Sequence, residues 1–375
     1  MDYSVGIKEA PLSSCEKAAS FLQSAMWGGF KSRFGWKAKA FTVECALGET
    51  QESFPLLVLC RKLMPGFSFA YVPWGPQLTY LIPVNEKTKA AAVAARAAYT
   101  AQIAKMLKPF LARNTVLIRF EPPWTAEQTA ENREQGAYSN EQTTESDTFF
   151  LAAGFKKAAA VVQPPDTVII DLSASREEIL AAMKPKWRYN VSLAEKKGVK
   201  VSAGGIKEME IFYSLLKETA VRDGISVHNF EYYKTLFEIC NQQNNEKIDM
   251  RLYTASHEND ILAAIVVLFR GKEATYLYGA SSNIKRNLMA PYALQWKAMQ
   301  DAKDAGCICY DLFGIPPNED PNHPMAGLYR FKTGFGGEII HRAGTWDYAC
   351  KPFIYFLFKK AEKIRKKLMD LKKRK

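Results

Sequence analysis

The feature that most constrains this 375-residue chain is an order of predicted elements that occurs twice. Each half has three strand-like segments, a helix, one more apolar strand, a Gly-Phe pair and then a last strand, as hydrophobic periodicity and turn residues indicate. In the first half the elements up to the Gly-Phe pair fall at residues 41–47, 54–59, 67–72, 86–107, 115–120 and 154–155. In the second half they fall at residues 250–254, 261–269, 274–278, 290–304, 308–313 and 334–335. A repeated plan of this kind indicates an internal duplication.

The repeated order resembles one half of a GNAT-like acyltransferase, which predicts an α/β (α+β) fold of two tandem GNAT-like domains. The length agrees, because a single core stops growing at about 250–300 residues. Pro164 and Pro165 interrupt regular structure between the halves. We expect a first domain of residues 1–163, completed by residues 344–375, and a second domain of residues 164–343. Chance similarity between two mixed α/β stretches is the alternative interpretation.

Two segments lie outside the repeat. Residues 122–148 are rich in Glu, Gln, Thr and Ser, which predicts an inserted surface loop. The chain ends in a predicted helix from residue 351, which we expect to pack against the first domain and then extend into solvent. Its apolar residues form a stripe at helical spacing, namely Phe353, Phe356, Leu357 and Ile364.

The formal net charge is +12, and most of the excess lies at the C-terminus. Residues 351–375 hold eleven Lys or Arg against Glu362 and Asp370, which is a net charge of +9. Such a segment suits a polyanion, either RNA or the anionic inner face of a membrane. Its other interpretation is a solvated tail that aids solubility. No DNA partner is expected.

Cysteine usage and hydropathy limit the compartment. The seven cysteines include no CxxC pair, so we expect neither a zinc site nor a disulfide framework. The N-terminus lacks the apolar stretch of a secretion signal. No apolar run reaches the roughly 18 residues that a spanning helix needs. We therefore expect a cytoplasmic protein without a metal, whose membrane contact would be peripheral.

Three blocks of sequence carry a more specific resemblance. They are Trp27-Gly28-Gly29-Phe30-Lys31 with Gly35-Trp36, then Lys186-Trp187-Arg188-Tyr189-Asn190, and then Tyr276-Leu277-Tyr278-Gly279 with Tyr329-Arg330-Phe331-Lys332 and Gly334-Phe335-Gly336-Gly337-Glu338. In this order and on a duplicated frame, they are similar to the FemABX family over nearly the whole chain. Several members carry a coiled-coil arm in the second domain. The short polar connection at 239–251 leaves no room for one, so the chain resembles the armless, FemX-like form.

The resemblance implies an aminoacyl transfer in which a side-chain amine of a peptidoglycan stem peptide attacks the ester of an aminoacyl-tRNA. The implied partners are aminoacyl-tRNA and a muropeptide that is either UDP-linked or lipid-linked, and no cofactor is implied. Since the ester is already activated, the enzyme has to position the substrates, stabilise an oxyanion and let the amine lose a proton. Glycine, alanine and serine are all open as the transferred residue.

By this resemblance, Lys332 is the leading catalytic candidate, because a cation beside the ester stabilises developing negative charge. Phe331 can stack on the terminal adenine of the tRNA. Glu121 follows the strand at 115–120, a usual place for active-site residues, and can orient or deprotonate the amine or simply cap a turn. Without the resemblance, Lys332 and Phe331 would be interpreted as a surface lysine and a core phenylalanine.

For the muropeptide, the resemblance implies a diphosphate contact at Lys31 and at the position of His228, with Tyr232 and Tyr278 in the same site. Lys31 follows Trp27 by four residues on a predicted helix, so the two side chains share a face. His228 stands where the FemX-like form has arginine, which puts bidentate phosphate binding in doubt. Both tyrosines also fit half-buried structural positions.

A third group of candidates is basic and binds phosphate without reading sequence. Arg188, Lys196 and Lys197 lie on a predicted helix, and residues 359–375 form the basic tail. Either group could contact the tRNA backbone with salt-dependent affinity.

Two other functions stay open. An acyl-CoA-dependent N-acyltransferase needs a glycine-containing loop that cradles pyrophosphate at a helix N-terminus. Residues 282–290 contain no glycine, and the first half lacks the loop too. A non-catalytic RNA- or membrane-surface module on an inactive transferase frame is the second alternative, and an activity assay would distinguish it.

Overall fold

The computed structural model describes residues 3–78, 89–124, 145–242 and 248–373. The strands in this part of the chain are β1 (Tyr3–Ala10), β2 (Lys37–Leu47), β3 (Thr50–Met64), β4 (Phe67–Val72), β5 (Thr115–Phe120), β6 (Lys156–Lys157), β7 (Asp166–Asp171), β8 (Lys200–Gly204), β9 (Ile248–His257), β10 (Asp260–Arg270), β11 (Glu273–Ser281), β12 (Cys309–Asp311), β13 (Glu338–His341) and β14 (Trp346–Ala349). The α-helices are α1 (Ala25–Ser32), α2 (Lys89–Leu107), α3 (Glu145–Ala152), α4 (Arg176–Ala182), α5 (Pro185–Lys196), α6 (Met209–Asp223), α7 (Phe230–Asn241), α8 (Ala290–Asp304), α9 (Ala326–Thr333) and α10 (Pro352–Lys373).

The chain divides into two compact units, which we call unit 1 (Met1–Pro165 with His341–Lys375) and unit 2 (Asp166–Ile340). Each unit has a seven-stranded sheet. The strand orders are β1-β2-β3-β4-β5-β14-β6 in unit 1 and β8-β9-β10-β11-β12-β7-β13 in unit 2. The fourth and fifth strands of each sheet are parallel neighbours. The two sheets therefore share one topology, and the predicted α/β fold class is confirmed.

The sixth strand of each sheet lies outside the repeated order of elements in the sequence. β7 follows β6 in sequence, but it pairs with β12 in the sheet of unit 2. β14 follows β13, but it pairs with β5 and β6 in the sheet of unit 1. A simple tandem repeat would leave each strand in the sheet of the segment before it. The C-terminal end of the chain is thus an integral part of unit 1.

A buried ion pair holds this returning strand in unit 1. Arg119 on β5 donates through Nε and Nη2 to the two carboxylate oxygens of Asp347 on β14, at 2.7 and 2.9 Å. The hydroxyl of Tyr355 on α10 donates to the same carboxylate at 3.2 Å. The Asp347 side chain is fully buried. Because a bidentate pair in a dry site is highly directional, it joins β5, β14 and α10 in one arrangement.

Most of the predicted repeat elements are present, and β4 and β5 have the predicted bounds. The predicted helix at 86–107 is described from Lys89 onward. The predicted surface loop was wrong at its end, because α3 begins at Glu145; residues 125–144 of that loop lie outside the described residues. Only residues 242–247 separate α7 from β9, so no coiled-coil arm is inserted there.

The C-terminal helix α10 packs against unit 1 as expected, but through a different face. Tyr355 forms a buried cluster with Val116 and Leu117 of β5, and Ile354 and Phe358 pack against this cluster. The predicted apolar stripe is instead exposed to solvent, with exposed fractions of 72% for Phe353, 52% for Phe356, 46% for Leu357 and 61% for Ile364. Helical periodicity alone does not decide which of two apolar faces is buried. No helix in the described ranges is long and apolar enough to cross a bilayer.

Candidate functional site

The parallel strands of unit 2 separate at their carboxyl ends. β11 pairs with β12 only from Glu273 to Thr275, and β11 then continues to Ser281 without that neighbour. In unit 1 the corresponding pairing extends to Val72 and Phe120, and a further bridge joins Gly75 to Glu121. Unit 2 therefore has an opening at the usual position of active sites in such sheets, and in unit 1 backbone pairing continues across the same position.

A β-bulge lies at the start of this divergence. Val266 of β10 pairs with Tyr278, and the next residue, Val267, pairs with Tyr276, so Leu277 is the extra residue. A bulge changes the direction of the side chains beside it. The Tyr276 ring crosses over Gly279, where an added Cβ would lie 1.8 Å from the tyrosine hydroxyl. The motif residues from Tyr276 to Gly279 are thus explained by a close approach that only glycine permits.

Lys332 on α9 lies in the opening between β11 and the chain after β12. Its Nζ donates to the carbonyl oxygens of Phe313 at 3.3 Å and Gly314 at 2.9 Å, and it lies 5.0 Å from the ring centre of Tyr276. The side chain is only 6% exposed. Burial lowers the pKa of Lys332 to about 7, although the charge of Asp311 opposes the shift. The amine can therefore gain or lose a proton near neutral pH.

Phe331 is half-buried and belongs to an aromatic group. Its ring packs edge-on against Tyr292 and Phe335, with centroid distances of 5.3 and 5.1 Å. The indole N–H of Trp187 donates to the Phe331 carbonyl at 2.8 Å. At Gly334 an added Cβ would lie 2.1 Å from the Trp187 ring. The second and third motif blocks of the sequence thus meet here and hold α9 in place.

A cluster of tyrosines lies at the N-terminal end of α7. His228 is exposed and stacks on Tyr232 with a centroid distance of 3.8 Å. The hydroxyls of Tyr232 and Tyr278 are hydrogen-bonded to each other, and burial raises the pKa of Tyr232 to about 12. Tyr233 packs edge-on against Tyr278 at 5.0 Å. The structure thus brings together His228, Tyr232 and Tyr278, the unit 2 residues expected at the muropeptide.

Glu121 in unit 1 is buried and surrounded by donors. Its carboxylate accepts hydrogen bonds from the Tyr71 hydroxyl, from the backbone N–H of Val162 at 2.7 Å and Gln163 at 3.1 Å, and from Thr345 Oγ1 at 3.0 Å. Burial raises the pKa of Glu121, while these hydrogen bonds oppose the rise. With its oxygens engaged by four groups, the carboxylate holds the β5 end and the chain before β7 and β14.

Lys31 in unit 1 is packed among aromatic rings. Its Nζ lies 5.4 Å from the Trp27 ring centre and 5.5 Å from that of Trp36. The Arg61 guanidinium lies 5.4 Å from the Trp36 ring. Burial, followed by repulsion from Arg61, lowers the pKa of Lys31 to about 8. Two cations beside the same aromatic ring form a site suited to an anion. Arg61 was not among the residues predicted from the sequence, because nothing in the local sequence of β3 distinguishes it.

The predicted phosphate patch on α5 is divided. Arg188 Nη1 donates to the carbonyl oxygens of Met183 and, at 2.9 Å, of Ala181, so it caps the end of α4. Lys196 and Lys197 are exposed at the opposite end of α5. The two lysines are thus available to a phosphate, whereas the arginine stabilises the end of α4.

The loop that would hold a pyrophosphate in a CoA enzyme is occupied by the protein. The Glu218 carboxylate accepts the backbone N–H of Asn283 at 2.6 Å and the hydroxyl of Ser282 at 3.2 Å. A negative side chain therefore takes the donors that a pyrophosphate would need. The matching loop of unit 1 falls partly in residues 79–88, outside the described residues. Across the described ranges, no group of three or more His, Cys, Asp or Glu is placed to hold a metal ion.

Comparisons with known proteins place these features in a family. The profile of the FemAB family matches residues 13–248 and 241–363. The chain is 23% identical over 416 residues to a lipid II:glycine glycyltransferase of Staphylococcus epidermidis, covering 94% of this chain and 92% of the relative. It is 24% identical over 285 residues to the same enzyme of Staphylococcus haemolyticus, covering 60% of this chain and 67% of the relative. A crystal structure of FemX matches the fold with a TM-score of 0.71 and 19% identity, covering 94% of this chain and 99% of the other.

The family profile spans most of the chain, and the sheet topology shared by the two units agrees with it. The chain belongs to the FemAB family.

Proposed function

We propose that this protein transfers an amino acid from an aminoacyl-tRNA to a side-chain amine on the stem peptide of a peptidoglycan precursor. The observation that carries the proposal is Lys332, a buried lysine in the opening between β11 and β12. Two relatives named lipid II:glycine glycyltransferases support glycine as the first donor residue to test and a lipid-linked muropeptide as the first acceptor.

The chemistry follows from the ester and the amine. The amine nitrogen attacks the ester carbonyl carbon, and its new bond to carbon creates a tetrahedral oxyanion. The carbon–oxygen bond to the tRNA ribose then breaks, the ribose oxygen takes a proton, and the attacking nitrogen loses one. Lys332 in its ammonium form stabilises the oxyanion, an effect typically worth about 10²–10³ in rate for one donor. Phe331 offers a face for the terminal adenine of the donor.

The acceptor is expected to bring a diphosphate. In unit 1, Lys31 and Arg61 provide two cations beside the Trp36 ring. In unit 2, His228, Tyr232 and Tyr278 provide an aromatic surface with hydroxyl groups. Stacking can support a sugar or peptide, and a neutral histidine contributes less to phosphate binding than an arginine would. Glu121 is proposed as a positioning residue for the segments of unit 1 that its carboxylate binds, at Val162 and Gln163 and at Thr345.

A transfer assay tests the proposal. Purified protein is mixed with tRNA charged with labelled glycine, alanine or serine and with UDP-linked or lipid-linked muropeptide. We expect label on one precursor, and a loss of about a hundredfold or more in Lys332→Ala.

Lys303→Ala is the matched control, because Lys303 also donates to two carbonyl oxygens of unit 2, those of Leu172 and Ala174, both at 2.8 Å. Its variant should keep the activity. If folded parent protein labels no precursor with any donor, the transfer proposal is wrong. Acetyl-CoA titration and RNA binding would then separate the acyl-CoA enzyme from the binding module.

A further inference from the structure

The C-terminal helix α10 has two apolar faces, and only one of them is used by the fold. Ile354, Tyr355 and Phe358 pack on β5, and the Tyr355 hydroxyl is bound to Asp347. These contacts orient the helix, so its opposite face is directed away from unit 1. That opposite face carries Phe353, Phe356, Leu357 and Ile364, which are between 46% and 72% exposed. Spacings of three, four, seven and eleven residues place them on one stripe.

Exposed large apolar side chains are normal when scattered, but a contiguous stripe on one helix marks an interaction surface. We call these four residues the exposed stripe. It is bordered by positive charge, since Lys360 lies 4.5 Å from the Phe356 ring and Lys363 is exposed one turn further on. From residue 351 to the C-terminus the net charge is +9. Charge alone suits RNA and an anionic membrane equally. The exposed stripe favours the membrane, because apolar side chains gain little from contact with a phosphate backbone.

The combination of an apolar stripe with flanking lysines is that of a helix lying in the plane of a membrane surface. Its apolar side chains enter the boundary between headgroups and acyl chains, while the lysines extend to the anionic headgroups. Each basic residue near an anionic leaflet adds to the attraction. The number of charged residues in α10 excludes a spanning orientation, and α10, like the other helices of the described ranges, is not apolar enough to cross a bilayer.

We propose that the exposed stripe of α10 inserts into the surface of an anionic lipid bilayer and anchors the protein there. The anchor is independent of the proposed transfer reaction, since it needs neither donor nor acceptor. It would hold unit 1 at the surface where lipid-linked substrates lie.

Vesicle co-sedimentation of the full chain tests the anchor. The probes are vesicles of phosphatidylcholine alone and vesicles with about 30 mol% phosphatidylglycerol at physiological salt. We expect binding to the anionic vesicles only, and a fall of about tenfold or more in the partition coefficient for the double variant Phe353→Ser, Phe356→Ser. These side chains are exposed, so the variant should fold normally. Lys360→Glu with Lys363→Glu should also weaken binding.

The double variant Tyr189→Ser, Val221→Ser is the matched control. Both residues are exposed apolar side chains on other helices, at 63% and 86% exposure, and their loss should leave vesicle binding unchanged. Equal binding of parent and Phe353/Phe356 variant would overturn the proposal, as would loss through the lysine variant alone, which would indicate a polyanion such as RNA. A concentration-dependent dimer in sedimentation velocity, abolished by the phenylalanine variant without any vesicle binding, would assign the stripe to a second copy of the chain.

Discussion

At the scale of single residues, the protein uses burial to tune its lysines. Lys332 is buried, and Lys31 is half-buried among aromatic rings beside Arg61, which lowers their pKa values to about 7 and about 8. An ordinary lysine is fully charged at neutral pH, whereas Lys332 loses its charge close to neutral pH and Lys31 does so about one pH unit higher. A lysine whose charge can change at working pH is a feature of functional sites more than of structural ones.

The pH dependence of transfer should reveal Lys332. Its charge is present below pH about 7 and is lost as the pH rises through that value, so oxyanion stabilisation should decline above it. In Lys332→Arg the group stays charged at every working pH. We expect the ratio of parent to Lys332→Arg kcat/KM to fall by up to about tenfold per pH unit above neutrality. A ratio that is constant from pH 6 to 9, or that rises, would contradict the role of Lys332 as a cation.

The pair of cations in unit 1 leads to a second prediction at this scale. Arg61→Ala should raise the KM for the acceptor about tenfold or more while leaving kcat nearly unchanged, because a charged hydrogen bond to phosphate is lost. The neighbouring Lys62→Ala is the control, since adjacent residues of a strand point to opposite faces. The KM of both variants is measured with the same acceptor. An equal KM for Arg61→Ala and parent would remove Arg61 from the acceptor site.

At the scale of elements, the second and third motif blocks are explained by how segments of unit 2 approach one another. The Trp187 side chain of α5 packs over Gly334, the residue that follows α9, and its indole N–H donates a hydrogen bond to the Phe331 carbonyl. The bulge at Leu277 and the glycine at 279 let the Tyr276 ring fold back toward Lys332. These contacts hold α9 so that its last turn presents Lys332 to the opening in the sheet.

Gly334→Ala tests this packing. The added Cβ would overlap the Trp187 ring, so the free energy of unfolding should fall by about 1–3 kcal/mol. Gly327→Ala within α9, the helix that Gly334 follows, meets no atom within 4 Å and should be neutral or stabilising by about 0.5–1 kcal/mol, since alanine is the better helix former. Urea unfolding of both variants measures the difference. Similar stability of the two would mean that Trp187 moves aside freely.

At the scale of the whole molecule, the order of strands makes the two units depend on distant parts of the chain. The sheet of unit 1 is complete only when β14 has returned from the end of the sequence to lie between β5 and β6. The buried Arg119–Asp347 pair joins residues 228 positions apart. Stability of unit 1 therefore rests on a long-range contact that no local segment contains.

Asp347→Ala should destabilise unit 1 by about 3–5 kcal/mol, because it leaves Arg119 as a buried charge without its partner. Asp304→Ala removes an exposed ion pair with Arg176 and should cost at most about 1 kcal/mol. Chemical unfolding followed by tryptophan fluorescence, with Trp346 next to the substitution, measures both. An equally small effect of the two substitutions would show that the buried pair contributes little to holding β14.

The sequence by itself determined the class of fold, the duplication and the family, because hydrophobic periodicity and turn residues are local and the motif blocks are long. It also indicated the lysine and aromatic residues of the candidate site. Only the tertiary structure decided that β7 and β14 are the sixth strands of their sheets, that the buried face of α10 is Tyr355 and its neighbours, that Arg61 joins Lys31, and that Arg188 caps α4. These outcomes depend on contacts between residues far apart in sequence, where several arrangements satisfy the same local pattern and packing selects one.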